Sequence, residues 1–129
     1  MFSKKNMLKL SLLVFVGGGI GSVARFGLSR LLLPYAVGGF PVGTFGVNIL
    51  GSLLIGLFWG MPLLADKHNW LLFLTVGLCG GFTTFSAFSW ENFNLLRQGH
   101  IGLFFVYALL SISLCLLATW GGCILGRNL

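Results

Sequence analysis

The residues of this chain able to handle an ion are few and sit inside apolar stretches. Thr44, Asn48 and Ser52 recur at i, i+4 and i+8, which sets three hydrogen-bonding side chains along one helical face. Such a stripe is ill suited to lipid. It serves either hydrogen bonds to a neighbouring helix or, at the asparagine, a binding or pore position. A second cluster, Gly80-Gly81-Phe82-Thr83-Thr84-Phe85-Ser86-Ala87-Phe88-Ser89-Trp90-Glu91, puts glycines and threonines near the middle of another apolar run. Glycine weakens a helix interior and threonine competes for backbone bonds. The run is therefore expected either to kink at a packing contact or to break, turning carbonyls away from the axis. A helix broken at membrane depth is one way to build a cation site. Beyond that point Phe85, Phe88 and Ser89 share a face if the helix resumes, with Ser86 nearby. An aromatic ring has a positive edge, so it can meet an anion without holding it strongly.

The other ionisable groups narrow the chemistry. Arg25 lies at or near the end of the first apolar run, where it either snorkels to the interface or draws anions into a vestibule. Glu91 is the sole acid within the runs, and pairing with an arginine is expected there rather than proton chemistry. His68 and His100 fall in connections with no metal-ligand spacing and no nucleophile beside them. Cys79, Cys115 and Cys123 all lie in apolar segments without CxxC spacing and read as small packing residues. No enzyme is expected.

These residues must be positioned by membrane helices. The 129 residues are 57% hydrophobic and 8% charged, against roughly 25% charged in soluble domains. A bilayer core of about 30 Å takes about 20 apolar residues per helix, leaving room for four spans and short connections but no soluble catalytic domain. The runs are placed at about 7–33, 42–64, 70–96 and 101–125 within a single transmembrane domain, 1–129. A signal peptide is disfavoured because the first run continues to Arg25 and Arg30 without a small-residue cleavage site. The net charge of +6 comes mainly from residues flanking the runs, and without a basic patch on a solvated fold no nucleic-acid partner is expected. Trp70, Trp90 and Trp120 fall near span ends, facing membrane lipid at the interface. Gly17/Gly21, Gly56/Gly60, Gly77/Gly81 and Gly122/Gly126 have the four-residue spacing that permits close helix packing. With both termini on one side, Lys4, Lys5, Lys9, Lys67 and Arg127 oppose Arg25, Arg30 and Arg97. That bias is small and leaves room for insertion in both orientations.

Three ordered segments resemble the CrcB/Fluc fluoride channel family over nearly the whole chain. Gly18-Gly19-Ile20-Gly21-Ser22-Val23-Ala24-Arg25-Phe26 is similar to its first-helix motif, Gly43-Thr44-Phe45-Gly46-Val47-Asn48-Ile49-Leu50-Gly51-Ser52 to its second, and Gly80 to Glu91 to its third-helix signature. The resemblance implies an all-α membrane protein with four transmembrane helices per subunit, a third helix broken near mid-membrane, and an antiparallel, dual-topology homodimer. It implies a structural Na⁺ held by the backbone carbonyls of Gly80 and Thr83 from both subunits, oxygen ligands that suit a hard cation. It further implies a fluoride path along Asn48, Phe85, Phe88, Ser89, Thr44 and Arg25, with Tyr107 and Thr119 as fourth-helix polar positions. Ala87 stands where the family often has threonine, which removes one hydroxyl from that path. The function implied is passive export of fluoride across the cell's inner (plasma) membrane, relieving its toxicity, by a multi-pass channel that pairs with itself or with a related subunit.

Two rivals belong to other classes. A small multidrug-type, proton-coupled exporter also has four short helices, but it needs a carboxylate embedded in the membrane; the first run has none, and Glu91 lies near a helix end. A non-conducting membrane assembly subunit would explain the glycine spacings but not Asn48 together with the Phe and Thr cluster.

Overall fold

Helices follow one another along residues 3–129, which the computed structural model describes; Met1 and Phe2, at the head of the expected domain 1–129, lie outside the described residues. Helix α1 spans Lys4–Leu32 and α2 spans Val42–Gly60. The third stretch is composite. Helix α3, His68–Leu72, widens into a π-helix over Phe73–Cys79, which runs into the short α4, Gly80–Phe82, and after two extended residues into α5, Phe85–Arg97. Helix α6 spans Ile101–Arg127. Four stretches, Lys4–Tyr35, Val42–Gly60, His68–Arg97 and Ile101–Arg127, are long and apolar enough to cross a membrane.

Local chemistry sets the ends. Helix α2 stops at Gly60 rather than at the expected Leu64, because Pro62 cannot supply a helical N–H, and Pro62–Leu64 form a 3₁₀ turn instead. Pro34 likewise lies in the 3₁₀ turn Leu33–Tyr35 that follows α1. Between α5 and α6 the chain reverses at Gly99, whose φ of +79° suits glycine. There Gly99 N donates to Leu96 O and His100 N to Leu95 O, closing α5 with the bond pair of a Schellman cap.

The spans associate as two parallel pairs, each zipped by glycine. A Cβ on Gly17 would come within 2.7 Å of Phe73 O, and Cβ atoms on Gly21 and Gly81 would overlap the carbonyls of Leu78 and Gly18. This closes α1 against the π-helix and α4. In the other pair Gly56 and Gly60 face the carbonyls of Thr119 and Cys123, while Gly122 and Gly126 face those of Leu53 and Leu57, bringing α2 onto α6. The four glycine pairs are therefore spent on seams within one chain. With little hydrophobic drive between helices in lipid, such close backbone approach is the main source of packing energy. Large apolar side chains point outward, Phe15, Val23, Leu31, Leu109 and Leu116 among them, whereas the buried set includes Thr44, Thr75, Asn92 and Ser111.

Candidate functional site

The third stretch loses its helix at Thr83 (φ −89°, ψ 159°) and Thr84 (φ −151°, ψ 118°). In a continuous helix Thr84 N would bond back to Gly80 O, and Ala87 N to Thr83 O. Here Thr84 N donates to Asn48 Oδ1 at 2.8 Å, and Ala87 N donates to Thr84 Oγ1 at 3.2 Å, capping α5. The carbonyls of Gly80 and Thr83 thus lose their helical donors. Asn48 closes the ring by donating from Nδ2 to Thr84 O at 3.0 Å. Its side-chain amide acts as a surrogate peptide for Thr84, and the second Nδ2 proton stays available. Gly51, one turn along α2, makes this possible: a Cβ there would collide with the Thr83 methyl.

The break forms one edge of a concavity of about 360 Å³. Its walls are Asn48, Gly51 and Ser52 from α2, Gly80, Thr83 and Thr84 from the break, Phe85 and Phe88 from α5, and Ser111 and Cys115 from α6. Phe85 is 77% exposed there, and its ring centroid lies 5.6 Å from that of Phe88. The aromatic row continues from Phe88 to Tyr107 (5.2 Å) and from Tyr107 to Phe40, met edge-on at 81°. Ser111 is buried, and its Oγ has no hydrogen-bond partner among the described residues. A buried hydroxyl left unpaired is costly, and on this wall it stands ready for a guest.

Glu91, one turn beyond Phe88, corrects the expected arginine pairing. Its carboxylate receives Thr44 Oγ1 at 2.5 Å and Tyr107 OH at 2.7 Å. The reason is topological: Glu91 faces α2 and α6, whereas Arg25 lies on α1. Since a hydroxyl has a single proton, Thr44 and Tyr107 turn only lone pairs to any other ligand while Glu91 holds them. No local spacing joins Thr44, Glu91 and Tyr107 into this triad, although each stands out in the sequence as a polar residue in an apolar run.

Of the residues singled out from sequence, the concavity brings together Asn48, Phe85, Phe88, Gly80 and Thr83, with Thr44 and Tyr107 adjoining through Glu91. Three stand apart from its walls. Ser89 is exposed on α5. Thr119 sits on the α6 face that carries Tyr107, Ser111 and Cys115, but its hydroxyl donates to Cys115 O at 3.0 Å and its backbone is packed against Gly56. Arg25 is half-buried on α1, and its Nε is buried without a partner among the described residues. Ser111 and Cys115 are wall residues for which the only signal in the sequence is their i+4 and i+8 spacing from Tyr107.

For a metal, no group of three or more His, Cys, Asp and Glu among the described residues is arranged to hold one. The donors that do fit a hard cation are neutral oxygens, the Gly80 and Thr83 carbonyls turned out of helical bonding at the concavity.

The family model described as "CrcB-like protein, Camphor Resistance (CrcB)" matches residues 12–123. The chain is 44% identical over 121 residues to a "Fluoride-specific ion channel FluC" of Coxiella burnetii (strain CbuK_Q154), covering 92% of this chain and 98% of that protein. To the protein of the same name from Flavobacterium psychrophilum it is 44% identical over 127 residues, covering 95% and 100%. To that from Bacteroides fragilis it is 45% identical over 129 residues, covering 94% and 98%.

Proposed function

The chain belongs to the CrcB-like family, and from that premise we propose that it is one subunit of a fluoride-selective channel, an antiparallel, dual-topology homodimer in the cell's inner membrane that exports fluoride passively. The observation that carries the reading is the convergence of Asn48, the Phe85–Phe88 pair and the unpaired Ser111 on one concavity beside a broken helix. Fluoride is small and strongly hydrated, so its path must replace water with several donors and still let the ion leave. The second Nδ2 proton of Asn48, the Ser111 hydroxyl and the phenylalanine ring edges supply such a set without a fixed cation to trap the ion. Onward passage past Thr44 and Tyr107 requires Glu91 to swing away, freeing the two hydroxyls to donate hydrogen bonds to the anion in its place.

Pairing two copies about a two-fold axis would cover the exposed Phe85 and bring both breaks to one depth near mid-membrane. Four carbonyls, from Gly80 and Thr83 of each subunit, would then surround the axis and hold a structural Na⁺. Bound there, its charge would lower the cost of bringing an anion through the apolar layer. A potential negative inside drives the anion outward.

The test is fluoride release from liposomes reconstituted with the full chain, read by a fluoride electrode with chloride as the control. Rapid release of fluoride alone is the expected result. Phe85→Ile and Phe88→Ile should each cut that release tenfold or more, on the order of 1.4 kcal/mol of barrier, with the dimer intact by size. Undiminished release in both variants would remove the ring-edge role. No release from a verified folded dimer would point to a related partner subunit or to a transporter.

A further inference from the structure

A second groove shares no residue with the concavity. It has a volume of about 390 Å³ and lies along the outer face of α1 where that helix approaches Phe73. Lys5 and Lys9 line its end toward the start of α1, and Leu8, Leu12, Leu13 and Val16 continue it along the helix. These residues form one helical stripe, cationic at one end and apolar for the rest. Leu8, Leu12 and Val16 are each more than half exposed, so the chain itself leaves the groove open. It ends at Gly17, where α1 closes onto the Phe73 carbonyl. From Lys9 to Gly17 the helix rises about 12 Å, close to the hydrocarbon depth of one leaflet at about 15 Å, and Lys5 lies one further turn outward.

We propose that this groove binds an anionic phospholipid, its headgroup phosphate on Lys5 and Lys9 and one acyl chain laid along Leu8, Leu12 and Val16 against Phe73. Charge complementarity selects the headgroup: the first turn of α1 has no acidic residue, and its free N–H groups add positive potential at the same end. A zwitterionic headgroup would gain little from this pair, because its own cation offsets the phosphate. The apolar part has the length of a chain rather than of a soluble anion, so the site reads both ends of one molecule.

The experiment is lipid titration of the delipidated full chain in detergent, followed by native mass spectrometry, with phosphatidylglycerol and phosphatidylcholine of matched acyl chains. Phosphatidylglycerol should be retained at the lower concentration. Lys5→Gln/Lys9→Gln should weaken that retention roughly thirtyfold, as expected at about 1 kcal/mol for each of the two lysines, and leave phosphatidylcholine unchanged. Lys4→Gln/Lys67→Gln, which alters charge at the same end of the bundle outside the groove, should retain phosphatidylglycerol. Equal retention of the two lipids would overturn the proposal, as would equal loss in both double variants, which would mean diffuse attraction. Displacement of the lipid by inorganic phosphate would show a headgroup site without a chain groove. A change of oligomeric state in Lys5→Gln/Lys9→Gln with lipid retention unaltered would assign the face to a second copy instead.

Discussion

Two departures from α-helical geometry lie in the same span, and they are satisfied in opposite ways. From Phe73 to Cys79 the backbone widens to a π-helix, and its bonds stay within the helix at i to i+5. Thr75 adds a local bond from Oγ1 to Leu71 O at 2.7 Å. At Thr83 and Thr84 the helix stops, and its loose groups are taken up by Asn48, 36 residues away on α2. The widened turn is self-contained and serves contact with α1. The broken turn depends on another helix, and that dependence sets a polar side chain, freed carbonyls and two rings side by side. A span can thus be irregular for packing or for chemistry, and the destination of its backbone bonds tells which.

The sharpest way to break this contrast is Asn48→Leu. It strands Thr84 N and Thr84 O at about 1–3 kcal/mol each, so unfolding in detergent should show a loss of about 2–6 kcal/mol, accompanied by loss of fluoride flux. If the variant is as stable as the parent, the clamp does not hold the break. Gly21→Ala comes next: its methyl must push against the Leu78 carbonyl, and overpacking at a rigid seam costs typically about 1–3 kcal/mol. Stability should fall by that amount while the preference for fluoride over chloride stays unchanged, since Leu78 and Phe82, which the methyl meets, are not walls of the concavity. Thr75→Val should be the mildest, losing about 0.5–1.5 kcal/mol with one local hydrogen bond and leaving flux intact. A flux defect there would mean that the π-helix, too, serves permeation.

The irregularity at Thr83 and Thr84 was legible because glycine and threonine are poor helix formers for reasons intrinsic to each residue. The π-helix was not, since Phe73-Leu74-Thr75-Val76-Gly77-Leu78-Cys79 contains nothing that favours it; it comes with the approach of α1 at Gly17, a tertiary contact. The glycine spacings announced close packing but not which helices would meet. The apolar runs fixed the four stretches to within a few residues, missing chiefly the stop that Pro62 imposes on α2. In the site, Asn48 stood out by its depth, whereas its role as a surrogate peptide needs Thr84 at a known distance. The sequence does not reveal the partners of Glu91, because Thr44 and Tyr107 come from two other helices and no local spacing joins them. Ser111 looked like one more serine in an apolar run until its missing partner set it apart.

The parallel pairing of the spans also bears on how the chain is made. Neither glycine seam joins neighbours in sequence: α1 meets the π-helix and α4, and α2 meets α6. As the ribosome releases the spans one after another, α1 must wait for the third, and α2 stays without its partner until Ile101–Arg127 has entered the bilayer. Until α6 has entered, Gly56 and Gly60 on α2 have no partner within the chain, whatever the state of the α1 seam. In that interval the α2 seam is the part of the chain with most to gain from whatever shelters unpaired helices beside the insertion machinery.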